Sequence, residues 1–301
     1  SNTAFGFAIG IQMLMWGLTG PIFGAVADRY GGHIAIISAF IFYSLGIYFL
    51  YTGPNTGIFF QIHMGLLIGI GLGGTAISIP MSVVGKHFPL STRTIAMSFV
   101  TAVGSFGYFL SPIFTNYSLR EFGWNYTLFI FLLFLLTGLI AAYFVRSPSK
   151  AESVEQISDQ SFKEALTEAF KTKSYILLVS GFFVCGFHIT LVGTHVPKYV
   201  IDRGLESWTA AAILSLIGLF NIFGSLLSGY LSAKMSKKII LSGIYFLRGI
   251  SIILFIFTPA SNFSAFLFGA SFGFLWLSTV PATSGIVAHL FGTKYLGLLY
   301  G

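Results

Sequence analysis

His188 and His195 stand seven residues apart in GFHITLVGTHVPKYV, a stretch inside a long apolar run. Seven residues are two helical turns, so both imidazoles share one face. Imidazole exchanges a proton near neutral pH. Arg248, in GIYFLRGISIILF, sits about 15 Å along its run, near the middle of a bilayer. A central arginine costs roughly 2.5–3.5 kcal/mol to insert, so it needs acceptors: backbone carbonyls, an acid from elsewhere or an anionic ligand. Asn221 lies at similar depth, where it can meet His188 or Arg248 or act as interhelical glue. Trp276, with Ser278 and Thr279, is mid-run. Gln12 and Trp16 share a face by their spacing of four, as do Thr101 and Ser105. For each of these residues a packing role stands beside substrate binding or proton coupling.

The same residues do not suit catalysis. No nucleophile stands beside a base. Histidines seven apart are too distant for one metal ion, and no acid accompanies them. Cys185 is a lone cysteine and reads as buried filler. Gly69, Gly71, Gly73 and Gly74 permit close helix packing, and no Lys-Ser/Thr follows to make a phosphate loop. The expectation is no catalytic residue, no metal and no cofactor, hence no enzyme.

The elements that position these residues are apolar helices. The chain has 301 residues, 55% of them hydrophobic and 8% charged, with a mean hydropathy of +0.86. Soluble domains carry about 25% charged residues, so the natural solvent of this chain is lipid. Nine runs are long enough to span: 5–26, 34–51, 57–84, 93–117, 124–145, 174–199, 208–231, 238–258 and 263–289, with a tenth starting near 294. They are continuous, unlike the alternating strands of about ten residues in a membrane barrel. One set of loops holds twelve of the sixteen Lys and Arg, the opposite set only Arg120, Lys198 and Arg203, and Arg248 lies within a span. The richer set therefore faces the cytoplasm. The net charge of +7 has no arginine stripe with interleaved aromatics, so nucleic acid is not an expected partner. The nine acids are Asp28, Glu121, Glu152, Glu155, Asp159, Glu164, Glu168, Asp202 and Glu206, all in loops or at span ends.

Residues 147–173 are polar and separate five spans from four and a stub. Within them SFKEALTEAF has apolar residues at helical spacing, which predicts a short amphipathic helix on the cytoplasmic face. The expected organisation is a helix bundle at 1–146, this linker, and a second bundle at 174–301. GAVADRYGG (24–32) and GYLSAKMSK (229–237) occupy matching places in the two halves, a repetition typical of secondary transporters. With its first residues SNTAFGF and its last in an apolar run, the chain reads as a fragment.

GAVADRYGGH resembles the loop between the second and third helices of the major facilitator superfamily through Gly24, Asp28, Arg29 and Gly31. Asp28 is expected to pair with a cation of a neighbouring cytoplasmic loop, with Arg93 as the candidate. Residues 65–107, with His87, Phe88, Arg93, Ala96, Gly104, Ser105 and Gly107, are similar to the fourth and fifth helices of monocarboxylate-porter-like and oxalate/formate-antiporter-like members. Residues 273–301 resemble the tenth and eleventh. The resemblance implies an all-α integral membrane protein with a two-bundle fold of twelve helices, of which helices two to ten and the start of eleven are present. It also implies a monomeric secondary transporter, a multi-pass membrane protein that would lie in the cytoplasmic membrane if the source is bacterial. The implied cargo is a small organic anion such as a monocarboxylate, with a proton or another ion as coupling partner. Export of hydrophobic or drug-like compounds, or a transporter-like receptor, are the alternatives.

Overall fold

A computed structural model describes residues 2–144 and 161–301, and every regular element among them is helical. In chain order these are α1 (Asn2–Tyr30), α2 (Gly32–Thr52), α3 (Gly57–Phe60), a π-helical stretch (Gln61–Leu67), α4 (Ile68–Thr75), α5 (Ser78–His87) and α6 (Leu90–Ala142). After them come α7 (Phe162–Lys171), α8 (Lys173–Asp202), α9 (Ser207–Lys234), α10 (Lys237–Phe257), α11 (Asn262–Leu275), α12 (Thr279–Phe291) and α13 (Leu296–Tyr300). Residues 147–160 of the expected linker lie outside the described residues.

Eight helical stretches are long and apolar enough to cross a membrane. The longest, α6, has 53 residues and if straight would measure about 80 Å, far beyond a hydrocarbon core of about 30 Å. It turns back at Gly123, whose φ of 74° is open to glycine at no steric cost. The arms 90–122 and 124–142 are separate spans, which makes nine among the described residues. Their ends extend past the expected limits, as in α1, because a helix keeps its backbone hydrogen bonds into the polar interface.

The described helices gather into two compact units. One contains residues 2–87, 118–144, 161–166 and 291–301; the other contains 88–117 and 167–290. Neither is continuous in the chain. The first arm of α6 joins the helices that follow the linker, and α13 joins those that precede it.

In lipid there is no hydrophobic force between helices, so small residues that let backbones approach do the work. The first unit shows how. A Cβ on Gly69 would meet the Gln12 carbonyl oxygen of α1 at 2.8 Å, and one on Gly73 would overlap Thr19. A Cβ on Gly71 would meet Tyr43 Cβ of α2 at 2.6 Å, and one on Gly74 would overlap Ala39. The glycines of one helix thus serve two neighbours on two faces. In the second unit Gly273 of α11 lies against Ile217 of α9, where an added Cβ would reach the Ile217 Cα at 2.6 Å. Gly218 of α9 likewise faces the backbone of Phe109 in α6. Around these contacts pack Val192, Ile213, Ile217, Phe268, Phe272 and Trp276. The outward surface carries large apolar side chains such as Phe183, Phe246 and Phe257, as lipid requires.

The predicted amphipathic helix is α7. Ala165 and Ala169, one turn apart, are buried, while Lys163, Glu164 and Glu168 are exposed. Ser161 and Glu164 form a reciprocal cap: the Ser161 N–H donates to Glu164 Oε2 at 2.7 Å, and the Glu164 N–H donates to Ser161 Oγ at 3.3 Å.

Two predictions follow from these contacts. A Cβ at Gly218 would sit 2.7 Å from the Phe109 Cα, so Gly218→Ala should lose about 1–3 kcal/mol through overpacking. Gly243 has open space around its Cα, so Gly243→Ala should gain about 0.5–1 kcal/mol; thermal unfolding in detergent separates them. The second concerns Glu164, whose carboxyl is held below its ordinary value of 4.5, chiefly by the Ser161 backbone and hydroxyl bonds. A depressed value means the cap is complete above pH 4.5 and is lost as pH falls through the folded-state value. Amide exchange across α7 should accelerate in acid, and Glu164→Gln should remove most of that pH dependence.

Candidate functional site

Arg248 of α10 is completely buried in the second unit. Its Nη2 donates to the Leu275 carbonyl at 2.7 Å and to the Trp276 carbonyl, and its Nη1 donates to Cys185 Sγ at 3.3 Å. Leu275 ends α11, and Trp276 leaves helical geometry with φ −52° and ψ −81°. These carbonyls are therefore ones that the helix itself cannot satisfy, at the helix end that favours positive charge. The guanidinium also lies 5.4 Å from the Tyr245 ring centre and 5.8 Å from that of Phe272. Among the acceptors open to it at sequence level, backbone carbonyls are the ones it uses. Cys185, expected to be filler, is one of its partners and stands 3.4 Å from Thr279 Oγ1.

Asn221 of α9 is also fully buried, and its partners are not His188 or Arg248. Its Nδ2 donates to Ser105 Oγ at 2.6 Å, and its Oδ1 accepts the Leu277 N–H at 2.7 Å. Ser105 Oγ in turn donates to the Thr101 carbonyl at 2.7 Å. The amide thus joins α9 to α6 and to the irregular backbone after α11. A short two-sided amide reaches whatever lies one helix away, and the close approach of Gly218 brings α6 there. Thr101, Ser105, Asn221, Arg248 and Trp276, nominated separately, meet in one network around residues 275–279. The Trp276 indole is 2% exposed and packs 5.4 Å from Phe272 and 5.8 Å from Tyr108 between ring centres. It is a core side chain in this structure.

His188 is half-buried on α8, with a buried Nδ1 that has no hydrogen-bond partner. Arg248 Nε and the Tyr245 hydroxyl are likewise buried and unpartnered. His195, two turns further along α8, is exposed. One helical face thus carries two histidines in different surroundings. Lys198, beyond it, bonds both carboxylate oxygens of Asp202 at 2.9 Å on the surface. Gln12 and Trp16 belong to α1 of the first unit, the former half-buried where α1 meets α4 and the latter exposed.

The first unit holds a second polar cluster. Asp28 Oδ1 accepts from Lys86 Nζ at 2.7 Å and from Ser82 Oγ at 2.6 Å, while Oδ2 accepts the Leu298 N–H at 2.9 Å. Lys86 is thus a cation on Asp28, and Arg93 Nε donates to the Phe88 carbonyl at 3.2 Å. Lys86 lies in the last turn of α5, one helix nearer than the loop expected to provide the partner. Gly24 faces the backbone of Gly297, so α1 and α13 approach closely enough for Asp28 to reach the first turn of α13. Gly31 has φ 103°, which explains a glycine between α1 and α2. Arg29 is exposed and stacks 5.2 Å from the Tyr30 ring centre.

The chain is similar to known proteins over most of its length. The sialic acid transporter NanX of Escherichia coli (strain K12) is 25% identical over 224 residues, covering 73% of this chain and 53% of that protein. Monocarboxylate transporter 2 of Homo sapiens is 23% identical over 230 residues, covering 68% of this chain and 47% of its own length. The chain thus spans about half the length of each. The solved structure of the E. coli fucose:proton symporter FucP superimposes with a TM-score of 0.71 at 14% identity, covering 98% of this chain and 79% of that one. The family model described as Major Facilitator Superfamily matches residues 1–301, and the chain belongs to that family as an integral, multi-pass membrane protein.

Proposed function

We propose that the protein transports a small organic anion, of the monocarboxylate class, by alternating access of a site to the two sides of the membrane. The observation that carries this reading is the sign of the buried charge. Arg248 is fully buried, and no Asp or Glu lies in the interior of a described span. In a low-dielectric interior such a charge acts over many ångströms, so the field favours anions and repels cations. The names of two relatives, a sialic acid and a monocarboxylate transporter, support a carboxylate cargo. The segments 1–146 and 174–301 act in this proposal as the two moving bundles, joined by 147–173. Gly24, Asp28, Arg29, Gly31 and Arg93 form the cytoplasmic gate region of the proposal, with Lys86 as the partner of Asp28.

Purified protein in liposomes should take up at least one of lactate, pyruvate or gentisate saturably. No uptake of any of these, together with pumping of a cationic dye, would overturn the anion reading in favour of an exporter. Saturable binding without uptake would identify a receptor.

His188 is the proposed proton carrier. It lies on α8 one turn from Cys185, which Arg248 contacts, its buried Nδ1 has no hydrogen-bond partner, and no Asp or Glu lies in the interior of a described span. His188→Gln should flatten the pH dependence of uptake between about pH 5 and 8, whereas exposed His195→Gln should leave it intact. A His188→Gln profile identical to that of the unmodified protein would rule the residue out as carrier.

A further inference from the structure

Each unit contains a span whose helix stops and restarts at the same point of a shared pattern. In the first unit α4 ends at Thr75, Ala76 turns extended with ψ 152°, and α5 restarts at Ser78. In the second α11 ends at Leu275, Trp276 leaves the helix, and α12 restarts at Thr279. Pro80 and Pro281 are each the third residue of the restarted helix, where a missing N–H costs a helix nothing. Interrupted spans at matching positions of two halves mark the working region of a transporter.

The two breaks are held differently. Around the second, Arg248 of α10 takes the Leu275 and Trp276 carbonyls, and Asn221 of α9 takes the Leu277 N–H. Ser228 of α9 donates to the Ser278 carbonyl at 2.5 Å, and Cys185 of α8 meets Thr279. Three neighbouring helices thus tie down five consecutive residues. Around the first break the bonds are local: Thr75 Oγ1 to the Gly71 carbonyl at 3.0 Å, the Ile79 N–H to the Ala76 carbonyl at 3.3 Å and the Met81 N–H to the Ile77 carbonyl at 3.0 Å. Ser78 Oγ is buried without a partner. The three residues that end the helix are Gly73, Gly74 and Thr75 at the first break and Gly273, Phe274 and Leu275 at the second.

We infer that Arg248 and Asn221 are positioning residues that latch the α11–α12 break as a fixed joint, leaving the matching α4–α5 break as the compliant one. The latch holds the Trp276 ring against Tyr108 and Phe272. Straightening the second break strands a guanidinium and an amide in a region without water, where backbone groups also lose their partners. Straightening or twisting the first gives up no side-chain bond from a neighbouring helix at residues 75–79. The assignment of this asymmetry to transport rests on the proposed function; the asymmetry itself is measurable without any substrate.

The test is hydrogen exchange on the full chain in lipid nanodiscs. Amides at 276–279 should exchange at least about tenfold more slowly than those at 76–79. Arg248→Lys keeps the charge and loses the fork; it should accelerate exchange at 276–279 about tenfold while α9 keeps its protection. With Trp16, Trp124 and Trp208 replaced by Phe, the same variant should shift Trp276 emission to the red and increase its quenching by acrylamide. Should Arg248→Lys fail to fold, Ser228→Ala removes one tie alone and should accelerate exchange at the same residues, by less. Equal protection at the two breaks, or exchange in the variants rising evenly over α8 to α12, overturns the proposal. Absent anion uptake with the local exchange pattern intact would count against the proposed function alone.

Discussion

Arg248 on the carbonyls of Leu275 and Trp276 is the contact on which the second unit depends. A guanidinium in the middle of a membrane is tolerable only if its charge and hydrogen bonds are met, and an interrupted helix is tolerable only if its freed carbonyls are met. Each defect answers the other. Asn221 completes the arrangement by taking the freed Leu277 N–H with one end of its amide and Ser105 with the other. The irregular backbone at 275–279 is thereby locked among α6, α8, α9 and α10 with Trp276 buried beside it.

Such bonds need backbones close together, and the glycines provide that. Gly69 and Gly73 bring α4 onto α1, Gly71 and Gly74 bring it onto α2, and Gly218 and Gly273 bring α9 onto α6 and α11. At these separations a two-atom side chain such as serine spans from one helix to the next. Asp28 follows the same logic in the first unit. Because Gly24 meets Gly297, the carboxylate reaches a backbone N–H at the start of α13 as well as Lys86 and Ser82. One acid there receives donors from two other elements, and each of its oxygens is used.

Much of this was legible before any coordinates. Lipid as solvent, nine spans, the amphipathic α7 and the glycine-rich packing helix follow from the length, continuity and periodicity of the apolar runs, which hydrocarbon thickness constrains tightly, while the family was legible through the resemblance carried by GAVADRYGGH. Individual polar residues were legible as belonging inside the membrane, because their cost makes them conspicuous there. Their partners were not. Asn221 was paired by depth with His188 or Arg248 and instead bonds Ser105 and Leu277, since depth along a helix says nothing of the direction a side chain faces. Lys86 was not singled out as a partner of Asp28, although its place in the last turn of α5 signals a cation one helix away. Cys185 carried no signal beyond its place three residues before His188.

The sequence by itself determined where the chain lies and what each span contains, because burial in lipid depends on composition within a window of about 20 residues. It also determined that the buried charge is positive, since that is a count of residues within spans. Only the tertiary structure decided which groups neutralise one another. The break at 275–279 shows why: it lies inside one continuous run, 263–289, and although Pro281 suits a restarting helix, no local residue meets the carbonyls and the N–H that the interruption frees. It exists as a set of bonds because α9 and α10 bring an amide and a guanidinium to the same turn, and that meeting is a property of helix packing, not of any one helix.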